Sequence, residues 1–226
     1  MRRLAVLVAV MMAGFSATPA KAKVIEHLPA GDVRVALTFD ACEGRGKPAF
    51  LDQGIVDYLS AQKLPFTIFA TGLFAQRNAA QLAQLAASPL VEVENHSFDH
   101  PQHMERLTPD QVREQVAKAD AAIALVTGRQ PRFFRFPAGN YDAASLAEVE
   151  ASGHQVVHWS FASGDPSPRL APEQLKDWVL TKARAGDILI FHINGRAPAT
   201  AKALPGIVEH LRRRGVQFVR LDEALP

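Results

Sequence analysis

The sequence predicts an α/β fold in which about seven short, largely parallel strands alternate with helices. Two observations predict it. Short apolar runs are typical of strands buried on both faces of a parallel sheet, and helical patterns separate these runs. The 226 residues suffice for one domain, and no repeat, linker or low-complexity stretch divides them. This strand count fits either an open doubly wound sheet or an incomplete barrel.

Residues 1–22 have the pattern of a secretory signal peptide. Two arginines form a basic start, Leu4–Phe15 is a short apolar run, and Ala20–Ala22 is a small-x-small cleavage site. The run is too short to span a bilayer comfortably, although an uncleaved anchor is the alternative reading. We therefore expect a mature domain over residues 23–226, periplasmic or secreted, without stable membrane insertion after cleavage.

Charge and cysteine content exclude several functions. Lys and Arg total 25 and Asp and Glu total 23; without the three basic residues of the leader, the formal charge becomes −1. Nothing in this balance favours nucleic acid, and no GxGxxG or GxxxxGK[ST] sequence follows a strand to bind nucleotide. Cys42 is the only cysteine. An exported product would have no internal disulfide, and this thiol would be either buried and inert or chemically employed.

The first strand is Val33–Cys42, VRVALTFDAC, in which large apolar residues alternate up to Asp40. A loop with Gly44, Gly46 and Pro48 follows. The next elements alternate as expected: a helix over Phe50–Gln62, a strand over Phe66–Thr71, a helix over Leu73–Ala87 and a strand over Leu90–Glu94.

A capping box marks the start of the long central helix. Thr108 is followed by Pro109 and, three residues on, by Gln111; the helix runs through Val126 and stops near Gly128. The remaining elements are a strand over Phe133–Phe136, a helix over Ala143–Ala151, a strand over Gln155–Trp159, a loop over Ser163–Pro168, a helix from Pro172, a strand over Ile188–Phe191, a helix over Leu204–Arg214 and a strand over Val216–Val219. The three arginines closing the last helix are typical of a solvated helix end.

Polar residues suited to catalysis follow five different strands. They are Asp40, His96 with His100, Arg135, Asp165 and His192. Because parallel strands share one carboxyl edge, where α/β folds bind their ligands, we expect these side chains to meet at one mouth of the sheet. Unrelated structural residues would scatter over both ends.

Two pairs among these residues suggest specific chemistry. His96 and His100 lie four apart in a loop before Pro101, and such imidazoles are common ligands of a divalent metal, with zinc the first choice. The alternative is two ordinary loop histidines. Asp165, bonded to one ring nitrogen of His192, would fix its tautomer and raise its proton affinity, which suits a general acid.

The surroundings of Asp40 suggest an acid or base, although it could instead cap the next turn. Arg135 lies among aromatics in FFRFP, which favours a partly buried partner for Asp40 over a surface arginine. After Pro137, a tight turn at Ala138 and Gly139 could present backbone N–H groups to an oxyanion, with Asn140 next to them as a substrate-binding candidate.

The ordered set TFDAC, NHSFDH, RFPAG, the SGD loop and LIFH resembles the polysaccharide deacetylase family, also called carbohydrate esterase family 4 or the NodB-homology domain. The resemblance covers Val33 to Leu221 and includes the LDEAL segment. It implies a distorted (β/α) barrel with fewer strands than usual, acting on an acetylated glycan by hydrolysis of an N-acetyl group. The roles it implies are Asp40 as the base that deprotonates metal-activated water, Arg135 as its orienting partner, His96 and His100 as ligands of a metal such as zinc, Ala138 as backbone oxyanion donor, and His192, tuned by Asp165, as the acid that protonates the leaving amine.

Two positions depart from the family pattern. Ala41 stands where the family has a second Asp that completes the metal ligands, and Ala138 stands where Tyr is common. The third ligand is left open: a nearby group such as Cys42, Glu43 or Asp99, two histidines with waters, or no metal at all. Cys42 is either a thiolate ligand or a small buried apolar residue.

Three functions stay open at this point. The first is an exported metal-dependent deacetylase of peptidoglycan, a chitin-like oligomer or an exopolysaccharide. The second is a catalytically silent carbohydrate-binding relative, because of Ala41. The third is a hydrolase of an O-acetyl ester or small amide, because Ala41 and Ala138 both alter the site. Asn194 and Arg196 either contact substrate or are simply polar loop residues.

Overall fold

The computed structural model describes residues 23–43 and 49–226. The predicted leader at 1–22 and the loop residues 44–48, with its two glycines and Pro48, lie outside the described residues. Within the described part of the chain, no helix combines the length and apolar character needed to cross a membrane.

In the described residues, seven parallel strands form one sheet. They are β1 (Val35–Ala41), β2 (Phe66–Ala70), β3 (Val91–Asn95), β4 (Phe133–Phe134), β5 (Gln155–Val156), β6 (Ile188–His192) and β7 (Phe218–Val219). Their order is β5-β4-β3-β2-β1-β6, and β7 pairs with the first residues of β1. A parallel bridge between Phe161 and Leu189 joins the segment after β5 to β6, at the other end of this order. The sheet therefore curls towards a barrel, and the predicted fold class is confirmed.

The helices of the described residues cover the sheet. They are α1 (Gln53–Ala61), α2 (Gly72–Arg77), α3 (Ala79–Ala86), α4 (Pro109–Thr127), α5 (Ala143–Ala151), α6 (Pro172–Lys182), α7 (Thr200–Arg213) and α8 (Leu221–Ala224), with 3₁₀ turns at Met104–Arg106 and Pro137–Gly139. The predicted capping box is confirmed, because Thr108 and Gln111 bond each other's backbone, and Gly128 ends α4 in the left-handed conformation.

Two element predictions need correction, and one element was missed. The helix expected over Leu73–Ala87 is two helices that meet at Asn78, whose backbone departs from helical angles with φ −108° and ψ 25°. The buried side chain of Asn78 donates to the carbonyls of Phe74 and Ala49, and these bonds hold the chain at the break. The last long helix begins at Thr200 rather than Leu204, with Pro205 inside it. Helix α8, within the LDEAL segment, was not predicted.

Strand β1 lies between β2 and β6 and also pairs with β7, and all seven of its residues are buried. Its odd-numbered residues from Val35 to Ala41 pack in the main hydrophobic core. Asp40, near the carboxyl end of this strand, therefore lies in a buried segment with hydrogen-bonded strands on both sides.

Candidate active site

The predicted meeting of strand ends is observed. Asp40 at the end of β1 is the register partner of His192 at the end of β6. Residues in register on neighbouring strands point to the same face of a sheet. The backbone N–H of His96 donates to the Ala70 carbonyl at 3.0 Å, and that of Arg135 to the Asn95 carbonyl at 2.9 Å. The carboxyl ends of β1, β2, β3, β4 and β6 therefore come together at one rim.

The Asp40 carboxylate lies between Arg135 and His96. Arg135 Nη1 donates to Oδ1 at 2.8 Å, and Oδ2 lies 3.4 Å from His96 Nε2. Burial disfavours the charged form of this carboxyl, but its interactions with His96, Arg135 and His192 outweigh burial and hold its pKa at about 2. Asp40 is therefore ionised throughout the physiological pH range.

Arg135 is fully buried and lies where the sequence placed it. Besides Asp40, its guanidinium donates to Thr38 Oγ1 at 2.9 Å and to the His158 carbonyl at 2.8 Å. Its central carbon lies 3.9 Å from the centre of the Phe69 ring, within reach of a cation–π contact. These contacts fix the guanidinium, so that it can hold Asp40 in one orientation.

His96 and His100 lie with their ring centroids 5.0 Å apart. Burial lowers the pKa of both imidazoles, that of His100 to about 3 with His96 contributing. His96 Nδ1 lies 2.8 Å from the Arg135 carbonyl, which can only accept, so the proton of the neutral ring is on Nδ1. His96 Nε2 then presents a lone pair, and this buried atom has no hydrogen-bond partner.

Among the described residues, the side chains that could hold a metal ion together are Cys42, His96 and His100, whose ligand atoms all lie within 4.8 Å of one another. The orphaned Nε2 of His96 faces the Asp40 carboxylate, an arrangement of two acceptors that a cation would stabilise. The residues present therefore fit the divalent metal that the resemblance implies. Burial, followed by Asp40, raises the pKa of the Cys42 thiol to about 12.

The other candidates for a third ligand lie elsewhere. Ala41 packs in the main hydrophobic core and offers no ligand atom. Glu43 accepts from Arg77 Nη1 at 2.6 Å and from the Ala49 N–H at 3.1 Å. Asp99 is exposed to solvent.

His192 and Asp165 form the predicted couple. His192 Nδ1 lies 2.8 Å from Asp165 Oδ1, and the fully buried carboxylate also accepts from Thr200 Oγ1 at 2.8 Å. Burial alone would lower the pKa of His192, but the hydrogen bond and charge of Asp165 outweigh it and raise that pKa above its ordinary value. With Nδ1 engaged, Nε2 is the nitrogen left to give a proton to a substrate.

The turn after β4 has an unusual backbone. Ala138 is left-handed with φ 54°, and Gly139 follows with φ 72°. The backbone N–H groups of Gly139 and Asn140 donate to the Phe136 and Pro137 carbonyls within the turn. These two donors are therefore already engaged, which leaves Ala138 as the predicted oxyanion donor. A Cβ on Gly139 would come within 2.9 Å of the Trp159 ring, so glycine permits this close approach.

Two threonines support the site without having been predicted. Thr38 contacts Arg135, and Thr200 contacts Asp165. Thr38 lies two residues before Asp40 on β1, so strand periodicity places both on one face and could have found it. Thr200 starts α7, far from Asp165 in sequence, and no local pattern points to it.

Fold and site together define an α/β-barrel protein with a buried Asp40–Arg135 pair and a His192–Asp165 couple at one rim. A family model described as polysaccharide deacetylase matches residues 28–157, more than half of the chain. The protein belongs to the polysaccharide deacetylase family, as its motifs predicted.

Curated relatives carry related names. The chain is 28% identical over 193 residues to the bifunctional xylanase/deacetylase of Pseudobutyrivibrio xylanivorans, covering 84% of this chain and 30% of that protein. It is 25% identical over 195 residues to the peptidoglycan-N-acetylglucosamine deacetylase of Bacillus cereus, covering 85% of this chain and 68% of the relative. The chain thus spans less than a third of the first relative's length and about two thirds of the second's.

Solved structures share the fold. A CE4 family pseudoenzyme from Bacillus anthracis superposes with a TM-score of 0.80 at 22% identity, covering 92% of this chain and 70% of that one. A family 4 acetyl xylan esterase from Clostridium thermocellum, in complex with a cobalt ion, has a TM-score of 0.74 at 28% identity, covering 84% of this chain and 89% of that one.

Proposed function

We propose that this protein hydrolyses the acetyl groups of N-acetylated sugars in a polysaccharide. The observation that carries the proposal is the placement of Asp40, held by Arg135, on the strand adjacent to the His192–Asp165 couple. A general base and a general acid at one rim are what hydrolysis of an amide requires. Membership of the family and the relatives named deacetylases support the substrate class.

His96 and His100 would hold a divalent cation, for which zinc is the natural candidate with nitrogen ligands. When bound, the cation acts as a Lewis acid towards the acetyl carbonyl and makes nearby water more acidic. The cobalt ion in the acetyl xylan esterase structure supports a metal in this family.

The side chains of this protein perform the proton transfers. Asp40 accepts a proton from the attacking water, whose oxygen forms the new bond to the acetyl carbon, while Arg135 keeps the carboxylate aligned. The Ala138 N–H stabilises the negative oxygen that develops. His192 donates the proton from Nε2 to the sugar nitrogen as the C–N bond breaks, giving acetate and a free amine. The proton on Asp40 returns to His192 through solvent.

Acetate release from N-acetylglucosamine oligomers, with Zn²⁺ or Co²⁺ added, tests the proposal. We expect turnover that Asp40→Asn abolishes. The matched control is Asp177→Asn, the same substitution at an exposed position of α6, which should leave turnover unchanged. Absence of acetate from any glycan, with the metal bound, would refute the enzymatic function.

Ala41 favours a second candidate, a silent carbohydrate-binding relative, because the usual metal Asp is missing. It predicts glycan affinity that Asp40→Asn leaves unchanged, and no turnover. Detectable turnover rules it out.

The likeness to an acetyl xylan esterase favours an O-acetyl ester as an alternative substrate. An ester leaving group needs less help from an acid, so His192→Ala should reduce ester cleavage much less than amide cleavage. An equal loss on both substrates would contradict this role of His192.

We further propose that the protein is exported after removal of residues 1–22. The support is the basic start, apolar run and small-x-small site of the leader. N-terminal sequencing of the protein recovered outside the cytoplasm should begin at Lys23.

A further inference from the structure

One buried ring nitrogen of the site, His96 Nε2, has no hydrogen-bond partner. Its Nδ1–H donates to the Arg135 carbonyl, so that its Nε2 carries a lone pair. His96 is 1% exposed, and Nε2 has no hydrogen-bond partner. A buried nitrogen lone pair that is left unpaired is costly, whereas binding to a cation would satisfy it.

A sulfur atom lies where a third ligand is needed. Cys42 Sγ, a ligand nitrogen of His96 and one of His100 lie within 4.8 Å of one another, although 54 residues separate Cys42 from His96 in sequence. A tetrahedral ion with bonds of about 2.0–2.3 Å holds its ligand atoms about 3.3–3.8 Å apart, so these three side chains close around the ion when it binds. Ala41 at the usual position offers no ligand atom, and Glu43 is engaged by Arg77.

We propose that Cys42 Sγ is the third protein ligand of the metal site, in place of the missing carboxylate. The inference rests on the proposed function and deepens it. It gives a site of one sulfur and two nitrogens, and three protein ligands leave an open position, as in catalytic zinc sites. The thiol proton is released to the buffer when the metal binds.

Two side chains from the loop after β6 support the sulfur. Asn194 Nδ2 lies 3.3 Å and Arg196 Nη1 3.2 Å from Sγ, and both are donors. Asn194 is buried. Donors directed at a ligating sulfur orient it and offset its negative charge, as outer partners do in metal sites. The sequence left Asn194 and Arg196 as either substrate contacts or polar loop residues. The structure places both next to Cys42.

The ligand set predicts the metals that bind. Thiolate and imidazole select Zn²⁺ and Co²⁺, whereas Mg²⁺ and Ca²⁺ prefer oxygen ligands. We expect the metal-free protein to bind one Zn²⁺ or Co²⁺ per chain and to show no comparable binding of Mg²⁺ or Ca²⁺.

Titration of the metal-free protein with Co²⁺ alone, in a non-thiol reductant, tests the assignment by absorption. A thiolate bound to Co²⁺ gives a charge-transfer band in the near ultraviolet. Because Cys42 is the only cysteine of the chain, no other thiolate can produce this band. The wild-type spectrum therefore decides the question even if a variant fails to fold.

Variants then locate the remaining ligands. Cys42→Ser should abolish the band and lower the Co²⁺ affinity by at least about 10–100-fold, because removal of a residue that merely supports a metal ligand already costs that much. His100→Ala should weaken binding, whereas the matched control His103→Ala should not, because His103 is half-exposed and pairs with Glu105 outside the cluster.

The outcomes separate this inference from the proposed function. Stoichiometric Co²⁺ binding without a sulfur band, or unchanged affinity in Cys42→Ser, overturns the Cys42 assignment and leaves the deacetylase proposal standing. No binding of Co²⁺ or Zn²⁺ overturns both. A full band without acetate release from any glycan supports Cys42 as ligand and overturns the deacetylase.

Discussion

Replacing Asp165 with asparagine changes the charge of the side chain that holds His192 while preserving its size. In the native protein the two carboxylate oxygens accept from His192 Nδ1 at 2.8 Å, from the His192 backbone N–H at 2.6 Å and from Thr200 Oγ1 at 2.8 Å. Asparagine keeps one acceptor oxygen and turns an NH₂ group towards one of these donors. The variant therefore removes the ion pair and leaves one donor facing another.

The expected loss of activity follows from the role of His192. Without the carboxylate, the pKa of His192 is no longer raised, and the tautomer with its proton on Nδ1 is no longer enforced. Loss of a positioned general acid lowers kcat by about 10²–10⁴-fold. The unsatisfied donor should also lower the free energy of unfolding by about 1–3 kcal/mol.

The pH dependence gives the sharper test. His192 must be protonated to donate, so kcat/KM for an N-acetylated oligomer should fall as pH rises through the raised pKa of His192. In Asp165→Asn this fall should move to lower pH, because the pKa of the imidazole drops. Rates of acetate release measured across the pH range for the wild type and Asp165→Asn check both expectations.

A control separates charge from packing. Thr200→Val removes one hydrogen-bond donor to Asp165 and leaves the charge of Asp165 in place. The fall of kcat/KM at high pH in this variant should therefore occur at the same pH as in the wild type. The assignment of His192 as the acid is wrong if kcat/KM of Asp165→Asn falls at the same high pH as in the wild type, or if the variant loses activity only in proportion to its unfolded fraction.

Three further predictions concern stability. Arg135→Met leaves Asp40 as an unpaired buried charge and should lower the free energy of unfolding, measured in urea, by about 3–5 kcal/mol. Adding Asp40→Asn removes that charge and should restore part of the lost stability, so a double variant no more stable than Arg135→Met would contradict the pairing. Burial raises the pKa of Glu92 from 4.5 to about 7, so the wild type should lose stability as pH rises between these values, whereas Glu92→Gln should lose less. Urea midpoints measured at about pH 4 and about pH 8, on either side of this window, check it, and equal midpoint shifts in the two proteins would exclude this role of Glu92. Gly139→Ala places a Cβ 2.9 Å from the Trp159 ring at φ +72° and should lower stability by about 1–3 kcal/mol in thermal unfolding; an unchanged Tm would mean that the turn relaxes.

Several features of this protein were predictable because local sequence carries them. The alternation of buried runs with helical patterns predicted the parallel α/β fold, and the position of Asp40 and His192 after two strands predicted their shared rim. The capping box at Thr108 predicted the start of α4 correctly. Each of these depends on the spacing of neighbouring residues along one segment.

Local patterns were weaker where a distant residue decides the outcome. At the break, the buried side chain of Asn78 donates to the carbonyl of Ala49, 29 residues away, whereas the surrounding alanines favour one continuous helix. The extension of α7 to Thr200 runs against the usual effect of Pro205. Packing in the folded chain prevails over propensity in both places.

The sequence by itself determined which residue types stand at the ends of the strands, and hence a hydrolase-like set within the polysaccharide deacetylase family. Only the tertiary structure decided how these side chains pair. The tautomer of His96 depends on a carbonyl 39 residues away, and the position of Cys42 Sγ beside two imidazoles depends on how three segments pack. Sequence spacing specifies the direction of a side chain along its own strand, whereas contacts between segments depend on the packing of the whole barrel.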